Sequence, residues 1–364
     1  MSTQSIEPDV TSDKTIDVDT LRQWLGDTDE LAVLDIRPVD EVGYASPLFA
    51  TNLPADRVES EIDRFIPRKG VRTVLVDGGD GVAPQLAAKL ESLGRTAVHA
   101  LAGGIGEWTS RDEQPTFDTP GRDFSLKIRD ERDTPSVSAA ELKALKDRGA
   151  DVVVIDTRTL PEFAGGHVPG AVGVPGAELL LRFADVVPSP DTHVVVSCAG
   201  LPRAIIGAQT LIDSGVANKV SYLYDGTKGW TGENLELETG ATAVYGDVDE
   251  EGRKRAAERV DAITANDDFP AVDIETAQAW ASDPERTTYL LDVRTLEEFE
   301  RSHLDGSINA EGGQLLGVSH RTIAVRGARV VLIDDVTGAR AAVVAHWLQR
   351  RGFEIALLTL DFEA

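Results

Sequence analysis

Only one of the 364 residues is a cysteine, Cys198. A lone thiol cannot close an intrachain disulfide or resolve one by dithiol exchange, and no Cys/His cluster shows zinc-ligand spacing. No stretch approaches the ~18 consecutive apolar residues of a membrane span. The opening MSTQSIEPDVTSDKTIDVDT contains no apolar core of a signal peptide. Positive charge is also scarce: 36 Lys and Arg stand against 62 Asp and Glu, a formal net charge of −26. That balance argues against the clustered basic surface a nucleic acid requires, and it bears on solubility rather than on fold. These absences lead us to expect a cytoplasmic chain with no metal, no cofactor, and no nucleic-acid or membrane partner.

The chain repeats itself. A hydrophobic content of 41% is ample for packed cores, and the length allows about two or three domains. An apolar strand ending in Asp-x-Arg occurs as AVLDIRPVDE, VVVIDTRTLPEF and YLLDVRTLEEF, with Asp35, Asp156 and Asp292 at its end. A second apolar strand follows each, as TVLVDGGDG, VVVSCAGLPR and VVLIDDVTGAR. The alignment of these strands puts Asp77, Cys198 and Asp335 in equivalent places, 42, 42 and 43 residues beyond the first aspartate. Helical runs ending near a glycine come next, and strands alternating with helices predict a parallel sheet covered on both faces. In the second copy Ser138 and Glu141 form a capping-box pattern. Polar connectors at 111–135 and 238–270 divide the chain into expected domains at 14–118, 134–240 and 270–364. The charged DEEGRKRAAERVDAI in the second connector predicts a surface helix. The third copy lacks the Gly-Gly-turn-Trp element of the other two and reads as shortened or truncated.

Cys198 falls where a strand gives way to a helix. There it is either a nucleophile held at a helix N-terminus or a small buried residue, since free cysteine is among the most buried types.

In the middle copy the run Asp156, Arg158, Glu162, Phe163, Gly166, His167, Val168, Pro169, Gly170, Ala171, then Cys198 to Arg203, then Gly226, Gly229 and Trp230, resembles the rhodanese domain. The third copy keeps Asp292, Arg294, Glu298, Phe299, His303 and Gly306. The first keeps Asp35, Arg37, Glu41, Gly103, Gly104 and Trp108, but has SPLFATNLP in place of the Gly-His segment. The resemblance implies an α/β chain of three tandem rhodanese-like domains, each a parallel sheet flanked by helices on both faces. It is similar to multi-domain bacterial and archaeal sulfurtransferases, in which the cysteine loop accepts a sulfane sulfur as a persulfide and passes it on.

The family loop is Cys-Arg-x-Gly-x-Arg/Thr; here it reads Cys198, Ala199, Gly200, Leu201, Pro202, Arg203. Ala199 replaces an arginine, the glycine comes one place early, and Pro202 removes an N–H. The attacking species must be the thiolate, and a free thiol has a pKa of ~8.5. A helix N-terminus and a nest of N–H groups are therefore expected to lower it, while Arg203 clamps a sulfonate or carboxylate of the donor. Related phosphatases use a loop one residue longer, so the shorter loop favours sulfur transfer over phosphate hydrolysis.

The resemblance implies a Cys198 nucleophile, a substrate cradle of Ala199, Gly200, Leu201, Pro202 and Arg203, and Lys228 nearby as an electrostatic aid or a solvated lysine. Asp156 and Arg158 recur in copies without a cysteine, which favours a structural role. His167 reads as a structural turn residue with general base as the alternative, Glu162 as a helix-start or salt-bridge residue, and Trp108 and Trp230 as packing anchors. Asp77 and Asp335 cannot carry sulfane sulfur, so both outer domains are expected to be inert. The expected reaction moves sulfur from thiosulfate or 3-mercaptopyruvate to cyanide, a thiol or a protein acceptor. The alternative is a non-catalytic binding or regulatory protein built of rhodanese modules, and a homodimer fits either reading.

Overall fold

The computed structural model describes residues 14–42, 50–110, 119–187 and 189–362. The opening of the chain, the first half of SPLFATNLP and the start of the first connector lie outside the described residues. Each repeat builds an α/β layer around a parallel sheet. In the middle repeat the order is Ser136–Val137, Val220–Leu223, His193–Ser197, Val152–Asp156, Val172–Gly173, all parallel. Every residue of His193–Ser197 is buried, as expected of a central strand with helices on both faces. One face packs Val154 and Val195 against Leu142, Phe163 and Trp230. Ser138 and Glu141 close a capping box at the start of the helix Ala139–Asp147, and Thr159 and Glu162 close another at Leu160–Gly165.

By their internal contacts the three repeats fall into two compact units. One holds the first repeat together with Asp283–Thr287 and His320–Ala328, segments that belong to the third repeat by sequence. Val325–Arg326 adds an antiparallel edge to the strand Leu31–Asp35, so this sheet is not purely parallel. The Thr287 N–H donates to Glu30 Oε1 at 2.6 Å, and Thr51 donates its hydroxyl to the His320 carbonyl at 2.5 Å.

The second unit holds the middle repeat and most of the third. In the third, Ile308–Asn309, Thr288–Asp292, Arg329–Asp335 and Glu354–Leu360 form a parallel sheet. Both connectors carry helices. Thr119–Arg132 lies in a stretch read from sequence as a polar linker, yet it buries Ser125 and Ile128 and sets Phe124 edge-on against Trp347 at 6.1 Å. Glu250–Thr264 is more than a surface helix: it buries Gly252, Ala256 and Ile263, and Ala256 clusters with Leu181 and Ala339. The middle and third repeats also join through polar bonds inside this unit. Trp347 Nε1 donates to Thr210 Oγ1 at 2.8 Å. Arg340, with no exposed surface, donates to Asp334 at 2.9 Å, Asp335 at 2.7 Å, Glu298 at 2.8 Å and Glu178 at 3.0 Å.

Removing one partner from a buried ion pair leaves uncompensated charge and costs about 3–5 kcal/mol. Arg340→Met is expected to lower the urea unfolding free energy of the middle–third unit by about that amount. A loss below about 1 kcal/mol would show that the cluster does not hold the repeats together.

Candidate active site

The site grows from the end of a buried strand. His193–Ser197 delivers Cys198 into a short loop, and the helix Pro202–Asp213 starts four residues on. Pro202 occupies the first helical turn, where its missing N–H would have had no intrahelical partner in any case. The Gly200 N–H points at Cys198 Sγ at 3.3 Å, and the Ala204 N–H also favours the thiolate.

A second loop braces this cradle from outside. The Thr227 N–H donates to the Cys198 carbonyl at 2.9 Å and the Lys228 N–H to the Ala199 carbonyl at 3.3 Å. Gly226 makes that contact possible: its φ is +51°, and a Cβ there would stand 2.1 Å from the Cys198 carbonyl oxygen.

The thiol itself is 1% exposed. Burial pushes it up, against the opposing pull of the Arg203 charge and the Gly200 and Ala204 N–H groups. The expected lowering by the helix N-terminus is thus present but outweighed by desolvation.

Arg203 does not face the cradle as an open clamp. Its Nη1 and Nη2 donate to the two oxygens of Glu162 at 2.7 and 2.9 Å. Burial works to raise the Glu162 carboxyl, but the Arg203 bonds and charge, with Thr159, hold it down at about 2. Glu162 therefore does two things, capping its own helix and pairing with Arg203, and it has a third partner in Gln314, whose Nε2 donates to it at 3.2 Å.

The other singled-out residues lie in the frame. Asp156 is fully buried and takes Arg158 Nε and Nη2 at 2.9 and 2.8 Å, while Arg158 Nη2 also donates to the Gly166 carbonyl at 2.6 Å. The pairs Asp35–Arg37 and Asp292–Arg294 repeat this arrangement. His167 is buried, with Nδ1 on the Phe163 carbonyl at 2.8 Å, Nε2 on Thr242 Oγ1 at 3.1 Å, and its ring stacked on Phe163 at 3.8 Å. Both ring nitrogens are engaged away from the thiol. Trp230 donates Nε1 to the Glu236 carbonyl at 2.9 Å, and Trp108 is buried in the first repeat's core. The Lys228 side chain is exposed, and Leu201 is 9% exposed beside the thiol. Among the described residues no group of three or more His, Cys, Asp or Glu could hold a metal ion.

In the outer repeats a carboxylate fills the cradle. Asp77 accepts the Gly79 and Ala83 N–H groups, each at 2.9 Å. In the third repeat the counterpart of Cys198 is Asp334, not Asp335. Asp156 pairs with Ser197 and Asp292 with Ile333, so the next residues, Cys198 and Asp334, occupy the same place. Asp334 accepts the Arg340 N–H at 2.9 Å, six residues on, as Asp77 accepts that of Ala83. The step from the first aspartate is thus 42 in all three copies. The Asp-Asp doublet hid this, because alignment by residue type alone can slide by one.

A rhodanese-like domain model matches residues 17–111, 138–233 and 273–364, and the chain belongs to the rhodanese family. It is similar to the crystal structure of a thiosulfate sulfurtransferase from Pseudomonas aeruginosa, with 40% sequence identity and a TM-score of 0.89, covering 95% of this chain and 66% of that one. It is also 30% identical over 112 residues to an HTH-type transcriptional regulator from Mycobacterium tuberculosis, covering 31% of this chain and 48% of that protein. The chain therefore spans only part of the length of both relatives. No helix among the described residues is long and apolar enough to cross a membrane.

Two outcomes follow from this geometry. Gly226→Ala must move the Cys198 carbonyl or abandon its φ, and should lower the thermal midpoint by about 4 °C or more; an unchanged midpoint would show that the loop yields freely. Glu162 lies below its ordinary value of 4.5, so its contribution is whole above that pH and is lost as pH falls toward about 2. The thermal-midpoint difference between the wild type and Glu162→Gln should shrink across that window.

Proposed function

We propose that this chain is a sulfurtransferase with one working site, Cys198, in its middle repeat. The cradle carries this reading: the N–H groups that hold a carboxylate in each outer repeat surround a thiol in the middle one. Such a nest suits an anion, whether the thiolate or the outer sulfur of a persulfide. The likeness to the Pseudomonas aeruginosa thiosulfate sulfurtransferase supports thiosulfate as the donor.

In the reaction the Cys198 thiolate attacks the outer sulfur of thiosulfate. A bond forms between the two sulfurs, the donor's S–S bond breaks, and sulfite leaves with the electron pair. Cyanide carbon or a thiolate then attacks the terminal persulfide sulfur, and Cys198 departs as thiolate. A site that buries its thiol disfavours the free thiolate, and Arg203 is the nearest cation to offset that cost. Ala199, Gly200, Leu201 and Pro202 form the wall of the cradle, and Lys228 lies on the loop that braces it. The two carboxylate-filled repeats have no sulfur-carrying atom and serve as supports or docking modules.

Intact mass after incubation with thiosulfate tests this. The wild type should gain one sulfur atom and lose it to cyanide with release of thiocyanate, while Cys198→Ser should gain nothing. No gain by the wild type, with thiosulfate or with 3-mercaptopyruvate, would favour the binding-module reading.

A further inference from the structure

The middle and third repeats exchange one residue each, and the two residues are equivalent. Arg340 falls one place past the counterpart of Arg203, but up to the cradle residue the landmarks of the third repeat lie 136 positions beyond those of the middle one, Asp156 to Asp292, Glu162 to Glu298, Cys198 to Asp334. The same step takes Glu178 to Gln314. Glu178 reaches from the middle repeat to Arg340, which also bonds Glu298. Gln314 reaches from the third repeat to Glu162, which bonds Arg203. Each repeat thus completes the Arg–Glu pair beside the other's cradle.

The chemistry of the two donations differs. Glu178 adds a fourth carboxylate to Arg340, alongside Asp334, Asp335 and Glu298. Arg340 is fully buried among these four carboxylates, and its charge is spent on them. Gln314 is a neutral amide, and it donates to the Glu162 carboxylate rather than accepting from Arg203. A carboxylate that shares its lone pairs with an amide draws less on the guanidinium. The helix that carries Gln314, Gly312–Val318, is also fitted closely to the site. A Cβ at Gly317 would stand 2.8 Å from Arg203 Cγ, and one at Gly313 2.9 Å from the Gly176 nitrogen. Glu311, at the start of the same helix, adds a half-buried carboxyl facing Glu178, Glu162 and Arg203. A second new carboxylate at position 314 would tip this cluster toward the locked arrangement around Arg340.

We propose that Gln314 of the third repeat is a positioning residue for the middle repeat's site, acting through Glu162 to leave the Arg203 charge available to an anionic donor. The third repeat then takes part in donor recognition although its own cradle is filled by Asp334. This inference rests on the sulfurtransferase reading for its kinetic arm and on Cys198 alone for its spectroscopic arm.

The test compares the wild type with Gln314→Glu and Gln314→Ala. In thiosulfate–cyanide turnover, Gln314→Glu should raise the thiosulfate KM about tenfold with kcat within about threefold, as an added like charge near the donor would do. Gln314→Ala, which removes the amide without adding charge, should raise KM about threefold. Because Cys198 is the only thiol, its ionisation can be followed by the thiolate absorbance at 240 nm against a Cys198→Ser blank. Gln314→Glu should move that midpoint up by about half a pH unit. A thiosulfate KM within about twofold of wild type in both variants, with an unmoved thiolate midpoint, overturns the proposal. If the wild type accepts no sulfur, the sulfurtransferase reading falls, and the thiolate midpoint alone decides the role of Gln314. A drop in kcat and thermal midpoint at constant KM would assign Gln314 a purely structural role and also overturn the proposal.

Discussion

The buried Asp–Arg pair at the end of each repeat's Asp-x-Arg strand is the constraint on which the rest depends. Asp156 has no exposed surface and Arg158 little, yet both ends of the pair are satisfied. A buried ion pair gains little net stability over an apolar one, because desolvation offsets most of the attraction. What it contributes here is direction. Arg158 reaches past Asp156 to the Gly166 carbonyl, and Arg294 reaches the Ser302 carbonyl in the same way. The short helix between, Leu160–Gly165 or Leu296–Arg301, is thereby pinned at its C-terminal end, while Thr159–Glu162 and Thr295–Glu298 cap the other. The helix carries the glutamate that meets Arg203 in one repeat and Arg340 in the other. Loss of that alignment would move the glutamate relative to the cradle, so a pair on the neighbouring strand governs the charge beside the thiol.

Three copies of one cradle are filled by Asp77, Cys198 and Asp334, and the comparison among them explains the site better than the cysteine-bearing copy does alone. Where Asp77 or Asp334 stands, the side chain itself satisfies the N–H groups at the helix start. Those groups cannot then bind an outside anion without displacing a carboxylate that is already in place. Where Cys198 stands, the softer sulfur is a weak acceptor and makes a weaker claim on the same donors, and a sulfur-borne negative charge has a prepared position. Neutral burial of the thiol and readiness for its charged form coexist because the cradle's donors are backbone groups, which need no reorganisation when charge appears.

Local sequence was a good guide wherever the determining contact is itself local. The Asp-x-Arg strands, the capping boxes and the strand-to-helix setting of Cys198 all depend on residues within a few positions of one another, so their patterns are visible along the chain. The helix Thr119–Arg132 was less legible, since its inward face is only Phe124, Ser125 and Ile128 amid charge, and it is the docking of Phe124 on Trp347 that gives the face a purpose. The filling of the third cradle was half legible. Asp334 and Asp335 are adjacent and chemically identical, and nothing short of strand register tells them apart.

By itself, then, the sequence determined three α/β repeats, a single thiol at a strand-to-helix junction, and acidic residues where the other two repeats would need one. Periodicity and spacing suffice for these, because backbone hydrogen bonding and side-chain alternation are properties of short segments. Tertiary structure decided which atoms face the thiol. Arg203 turns to Glu162, 41 residues back, Glu162 meets Gln314, 152 residues ahead, and Glu178 meets Arg340 across 162. It also decided that Val325–Arg326, part of the third repeat by sequence, completes the sheet of the first. Such choices depend on which long-range surfaces pack together and on how buried charges find partners there, and no pattern within a single segment records them.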